Sequence, residues 1–459
     1  MSHPPRTIMV IIGFAAVATT LPIFAGYTVS FATLLWLLFT GSWRLAIVGK
    51  KQLSMPNSWD SRFIQSISHS IKPFHWGCFC LVLAHLLAAL LGVYLSPWSK
   101  SLAKALSEWV HTVVKYGLLW LVVSSGCIAC ARRGCLPQRV GPWMCAWMLA
   151  LLIYCAVQHW SGIDWTHGFH ATLGSHRFAY GVYRVSGFMG HPLTFAYNLM
   201  LITLASLAIG WGPSELGTSE RRWWFGTAFL AVVILLISGS RYVILVLIGT
   251  LLICEGRRIL RHKVKVAALM AVAALLLLWE GSVLARFYEL FQNDQTFAQR
   301  FPRVVFWQLH WKMFLDNPIA GVTRSGVEGA LKAYYNAAGY HDTIYEAHNL
   351  FLQYLADTGI IGFLGLVGWL VGLFMTWRRL RPALSQGVSY LAVATVFCAL
   401  MQNNLRDSAY VYALWFFLSI LLVQSAIITA NQQESANNER ESPKNFDAGA
   451  RSANSSTHL

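Results

Sequence analysis

Charge is what this sequence lacks most. Charged residues fill only 12% of its 459 positions, about half the share of a soluble globular domain. Acidic residues are the scarcer sign, 19 against 35 Lys and Arg. A composition that is 56% hydrophobic leaves too few polar side chains to cover a water-soluble fold of this length. Long polar stretches are also few: segments near 161–188 and 285–347, and a tail from about Asn431. No internal repeat and no soluble second domain are visible, which excludes solenoids and tethered globular modules.

What is present instead is a series of apolar runs of roughly 17–25 residues, each able to cross a bilayer as a helix. An open sheet is excluded, because lipid offers no partners to its edge groups. The expected fold is therefore an all-α polytopic membrane protein of about twelve spans. They lie near 7–25, 28–48, 76–96, 109–131, 142–160, 189–211, 223–239, 241–255, 265–284, 348–376, 386–402 and 408–429. The seventh and eighth are separated only by Ser238-Gly-Ser-Arg241, a turn expected to dip into the membrane. A transmembrane domain is expected over 1–430, and 431–459, rich in Asn, Ser, Glu and Gln, is expected to be a disordered cytoplasmic tail. The apolar run from Ile8 leads into a second one and not into a small-residue cleavage site, so no cleaved signal is expected.

The formal charge of +16 does not point to nucleic acid, because the basic residues punctuate the spans in the manner of topology signals. Alternating the spans from a cytoplasmic start puts most of the Lys and Arg in short inner loops and both termini in the cytoplasm. Cys127 and Cys130 form a CxxC within an apolar run, where helix packing is the simpler reading. His159, His167, His170 and His176 cluster around the first outer loop, but their spacings fit no ligand set, and no metal site is expected.

Eight arginines run against the insertion bias and fall on the outer side: Arg177, Arg184, Arg241, Arg286, Arg300, Arg303, Arg324 and Arg406. Arg177, Arg286 and Arg324 read as contacts to lipid headgroups. Arg184, Arg241 and Arg303 or Arg300 come from separate segments, and their planar forks of donors suit the oxygens of a pyrophosphate. From Arg303 to Phe314 apolar residues recur at helical spacing up to Asn317-Pro318, which predicts an amphipathic helix on the membrane surface with Trp307 at the interface. The segment Glu346–Phe363 then opens on Glu346, His348 and Asn349. An imidazole titrates near neutrality, so His348 beside arginines is placed to take a proton from a hydroxyl.

Taken together, Arg184-Val-Ser-Gly-Phe-Met-Gly-His-Pro, Ser240-Arg241, Arg303-Val-Val-Phe-Trp307 with Asn317-Pro318-Ile-Ala-Gly321, and His348-Asn349-Leu-Phe-Leu with Gly359 and Gly362 resemble the O-antigen ligase and O-antigen polymerase superfamily. The resemblance covers about 180–375. It implies a GT-C-like fold with a large periplasmic loop before the tenth span, in the bacterial inner membrane. It further implies a cofactor-free, inverting glycosyltransferase that uses an undecaprenyl-pyrophosphate-linked glycan as donor and lipid A–core oligosaccharide as acceptor. His348, Arg241 and Arg303 match the family's essential positions, while Arg184, Arg300, Asn349, Trp307 and Glu346 are candidates for holding substrate. Here the helix carries Asp357 where the family has glutamate. An O-antigen polymerase and a protein O-oligosaccharyltransferase are the alternatives within the superfamily. A transporter, the alternative outside it, calls for paired charges and broken helices at the bilayer midplane, and the spans hold few such charges.

Overall fold

The computed structural model describes residues 14–21, 28–30, 32–33, 58–98, 101–132, 137–164, 178–179, 182–212, 217–260, 302–340, 346–380, 382–425 and 427–428. Apart from the loops that join them, the elements among the described residues are helices and one two-residue antiparallel pair, Phe178–Ala179 with Val182–Tyr183. In chain order the helices are α1 (Ser58–Leu95), α2 (Leu102–Thr112), α3 (Leu119–Arg132), α4 (Gly141–Ser161), α5 (Pro192–Trp211) and α6 (Thr218–Ile237). They continue as α7 (Arg241–Leu260), α8 (Pro302–Asp316), α9 (Val327–Ala337), α10 (Leu350–Arg379), α11 (Pro382–Met401) and α12 (Ser408–Ser425).

Six stretches among the described residues are long and apolar enough to cross a membrane: Ile71–Leu95, Leu102–Ala131, Gly141–Ser161, Pro192–Trp211, Leu350–Arg379 and Ser408–Ser425. Each overlaps an expected span. The protein is thus a multi-pass, all-helical membrane protein. Gln386–Met401 is a shorter apolar helix, and the segments expected to span at 223–239 and 241–255 form α6 and α7. The expected span at 265–284, most of the first two and the tail lie outside the described residues.

Local sequence explains most of the boundaries. Ser101 caps α2 by accepting from the Lys104 amide, and His191 caps α5 by accepting from the Leu193 amide. Gly162, at φ 68°, closes α4 in the left-handed conformation. Between α2 and α3 the chain continues as a π-helix over Val113–Leu118. Its wider turn rotates Lys115 and Tyr116 into the protein interior.

α12 is buried along nearly its whole length, as an all-round apolar helix should be. Trp415 on α12 meets Phe74 of α1, Trp120 of α3 and Trp369 of α10, with ring centroids 5.3, 5.4 and 5.9 Å apart. The α1–α10 contact is built on small residues. A Cβ at Gly372 would lie 2.6 Å from the Pro73 carbonyl oxygen, one at Gly365 2.5 Å from Ala84 Cβ, and one at Gly77 3.1 Å from Trp369 Cα. Small residues let helix backbones approach this closely where lipid gives no hydrophobic push. The opposite face of α1 turns Trp76, Phe79, Leu83, Leu87 and Leu91 outward.

A second, smaller core lies under α8 and α9. Phe306, Leu309, Met313, Val322, Leu331 and Tyr335 share it with Ala356 of α10. α8 starts and stops where its sequence predicts, but it is not amphipathic. Trp311 and Leu315 lie on its outward face, so apolar residues occupy both sides. An apolar outward face suits a membrane surface while the inward one fills this core.

Candidate active site

The helix ends assigned to the outer side gather at one end of the bundle. Thr194 at the start of α5 donates to the carboxylate of Asp407 before α12, Tyr242 at the start of α7 donates to the Phe397 carbonyl of α11, and Gln158 at the end of α4 holds Gly187 through both its N–H and C=O, at 3.0 and 2.8 Å. Each of these contacts joins two segments that hydropathy had assigned to the same side.

At this end α8 and the start of α10 meet the last turn of α11. Nη1 of Arg303 lies 3.6 Å from Sδ of Met401. Nδ1 of His348 is 2.8 Å from Oε1 of Gln402, and Nδ2 of Asn349 donates to the Leu400 carbonyl at 3.1 Å. Three residues expected from sequence thus dock on Leu400, Met401 and Gln402 in succession. Arg303 is exposed, and its charge acts on Tyr242 and Tyr197, which links it to the start of α7 where Arg241 stands.

His348 has φ 49°, uncommon for a residue with a Cβ. Its neighbours fix it there. Gln353 Oε1 accepts from the Ala347 amide at 2.8 Å, and Trp307 Nε1 donates to the Ala347 carbonyl at 3.0 Å. Asn349 caps α10 by accepting from the Phe351 and Leu352 amides. A sparsely populated backbone conformation persists only when its surroundings over-determine it, and such residues cluster at functional sites.

Behind His348 lies an ionic network. Arg406 Nη1 is 3.1 Å from Asp357 Oδ2 and 3.2 Å from Glu346 Oε1. Asn403 Nδ2 donates to Glu346 Oε2 at 2.7 Å, and Gln353 Nε2 donates to Asp357 Oδ1 at 2.7 Å. Lys115 and Tyr116 donate from the π-helix to the carbonyls of Arg406 and Leu405. Burial works to raise the Glu346 carboxyl, but the Arg406 guanidinium and the Asn403 amide outweigh it and hold the group below its ordinary value. His310 is fully buried on α8, with Nδ1 2.7 Å from the Phe306 carbonyl, and burial pulls it down to about 4.

The structure gives several sequence candidates more specific tasks. Trp307, read as an interfacial anchor, holds the backbone next to His348. The Glu346 carboxylate is engaged by Arg406 and Asn403, and both polar atoms of the Asn349 amide are used within the protein. Arg324, read as a headgroup contact, pairs with Glu108 at 3.5 Å and lines a small, largely apolar cavity with His85, Thr323 and Asp357. Arg184 is itself half-buried in the mostly buried segment that leads into α5. Arg177, Arg286 and Arg300 fall outside the described residues, as do His167, His170 and His176, while His159 Nδ1 lies 3.3 Å from the Tyr183 carbonyl. Cys127 and Cys130 are buried in the main core. Gln402, Gln353 and Asn403 were not singled out by sequence. The available signal was the polar run Gln402–Asp407 wedged between two apolar ones.

A histidine, an exposed arginine and an ionic network thus meet at one end of the helix bundle. Residues 226–367 match the family model described as O-antigen ligase. The match covers about a third of the chain and supports a place in the O-antigen ligase superfamily, a family that implies a glycosyltransferase-like activity. The matched stretch carries Arg241, Arg303, Trp307, Glu346, His348 and Asn349, and ends before Gln402 and Arg406. Comparison with curated proteins found no match.

Proposed function

We propose that the protein is an O-antigen ligase, moving glycan from undecaprenyl pyrophosphate onto lipid A–core oligosaccharide at the periplasmic face of the bacterial inner membrane. The observation that carries this reading is the docking of Arg303 and His348, both within the matched domain, on the adjacent residues Met401 and Gln402 at the end of α11. In the reaction, the acceptor hydroxyl oxygen attacks the anomeric carbon and forms the new glycosidic bond with inversion. The bond from that carbon to the pyrophosphate breaks, undecaprenyl pyrophosphate leaves with the electron pair, and His348 takes the hydroxyl proton. Arg303, with Arg241, Arg184 and Arg300 as its partners, supplies fixed positive charge where negative charge develops on the leaving group. Fixed donors of this kind need no reorganisation at the moment of transfer.

A deletion strain tests the assignment. Loss of polymer on lipid A–core, with undecaprenyl-linked polymer still present, supports the ligase. Loss of polymer altogether makes the protein a polymerase, and loss of glycan from proteins alone makes it a protein O-oligosaccharyltransferase.

A further inference from the structure

Nothing in the matched domain accounts for Gln402, which lies past its end. We infer that Gln402 is a positioning residue for His348, selecting the ring tautomer in which Nε2 is the basic nitrogen. The inference rests on His348 being the base. An amide oxygen only accepts hydrogen bonds, so the Gln402 Oε1 at 2.8 Å requires the proton on Nδ1. In a neutral imidazole the basic lone pair is then on Nε2.

The backing is built to keep that amide in place. Met401 and Leu400, the residues before Gln402, touch Arg303 and Asn349. Asn403, the residue after it, is tied to Glu346 at 2.7 Å and to Gln353 at 3.3 Å. One turn at the end of α11 therefore sets both the ring of His348 and its position relative to the Arg303 guanidinium. A neutral amide does this without adding charge. A carboxylate in its place would favour the imidazolium, which has no lone pair to offer. Among the described residues, the charged and titratable groups near His348 are Glu346 on its own segment, His310 and Arg303 on α8, and Arg406 on the Asn404–Arg406 turn.

The test uses the full-length protein in lipid nanodiscs, with lipid-linked glycan and lipid A–core as substrates, and follows kcat and donor KM against pH. Gln402→Leu is expected to lower kcat about 10- to 100-fold with donor KM unchanged, part of the roughly 10²–10⁴ that proton transfer contributes. Gln402→Glu, nearly the same in shape, is expected to move the acidic limb of the kcat profile upward by about one pH unit. If Gln402→Leu fails to fold, the limb shift in Gln402→Glu decides alone. Wild-type kcat and an unmoved pH profile in the folded variants, with His348→Ala inactive, overturn the inference and leave the base assignment standing. An active His348→Ala overturns both.

Discussion

The carbonyl oxygen of Pro318 accepts from the amide of Ile360 at 2.9 Å, so the loop after α8 repairs a break inside α10. The break is at Gly359, with φ 62° and ψ −162°, a combination essentially reserved for glycine. The Val322 amide in turn donates to the Ala356 carbonyl at 2.9 Å. Two sequence motifs far apart in the chain, Asn317–Gly321 and Asp357–Gly362, are therefore one structural unit, and it aims Asp357 at Arg406.

Gly359 has no room for a methyl group, since a Cβ there would sit 2.3 Å from the Ile319 carbonyl oxygen. Gly321 is in the same position, with Asp357 C at 2.5 Å and φ 67°. Gly359→Ala is expected to cost about 2–3 kcal/mol or more. Intrinsic fluorescence melts of the purified protein should show a lower Tm, and Gly321→Ala added to it should cost less than its separate effect, because both disrupt one contact. A Tm equal to wild type would refute the docked geometry.

Asp357 and Arg406 are both largely withdrawn from solvent, with side-chain exposures of 6% and 17%. Arg406→Met should leave a carboxylate buried without its cation, a loss of about 3–5 kcal/mol. Replacing Asp357 by Asn in the same protein should recover part of it. Glu346→Gln alone should cost far less, about 0–1 kcal/mol, since that carboxylate is half exposed. Comparing the three melts checks the ranking.

His310 couples stability to pH. The unfolded imidazole takes up a proton as pH falls below 6.5, whereas the buried native ring stays neutral until about 4. Stability is therefore present above 6.5 and is lost as pH drops through that window, by roughly 3 kcal/mol at most. His310→Gln should flatten the dependence between pH 6.5 and 4 in melts recorded across that range. An unchanged slope would assign the acid sensitivity to other groups.

Arg303 of α8 is exposed and docks on the same end of α11 as His348. With the proposed chemistry, Arg303→Ala should reduce kcat about 10²–10³-fold. Arg303→Lys should restore part of the rate but not the planar fork of donors. Single-turnover transfer from radiolabelled lipid-linked glycan reads both variants.

Much of the fold was legible because hydropathy is a local property. The spans at 76–96, 109–131, 142–160, 189–211, 348–376 and 408–429 each return as a long apolar helix. The sequence grouped His348, Arg303 and Asn349 on one side, and the structure brings the three to the end of α11. The network behind them was not, because its contacts join residues about fifty positions apart, as in His348 with Gln402 and Asn349 with Leu400. Such pairs depend on the register between α10 and α11, which no window of sequence encodes. Arg406 was visible as an outer arginine, but its partners Glu346 and Asp357 depend on the same register. The amphipathic reading of α8 failed because a second core exists on its inward side, and periodicity cannot reveal a core made by another segment.

The glycine contact between α1 and α10 has a consequence for the proposed lipid-linked donor. Where Gly77, Gly365 and Gly372 meet Trp369, Ala84 and Pro73, the two helices touch so closely that even an added methyl group would collide. A donor sliding laterally out of the bilayer is shut out along this seam, so its doorway must lie between other helices of the bundle.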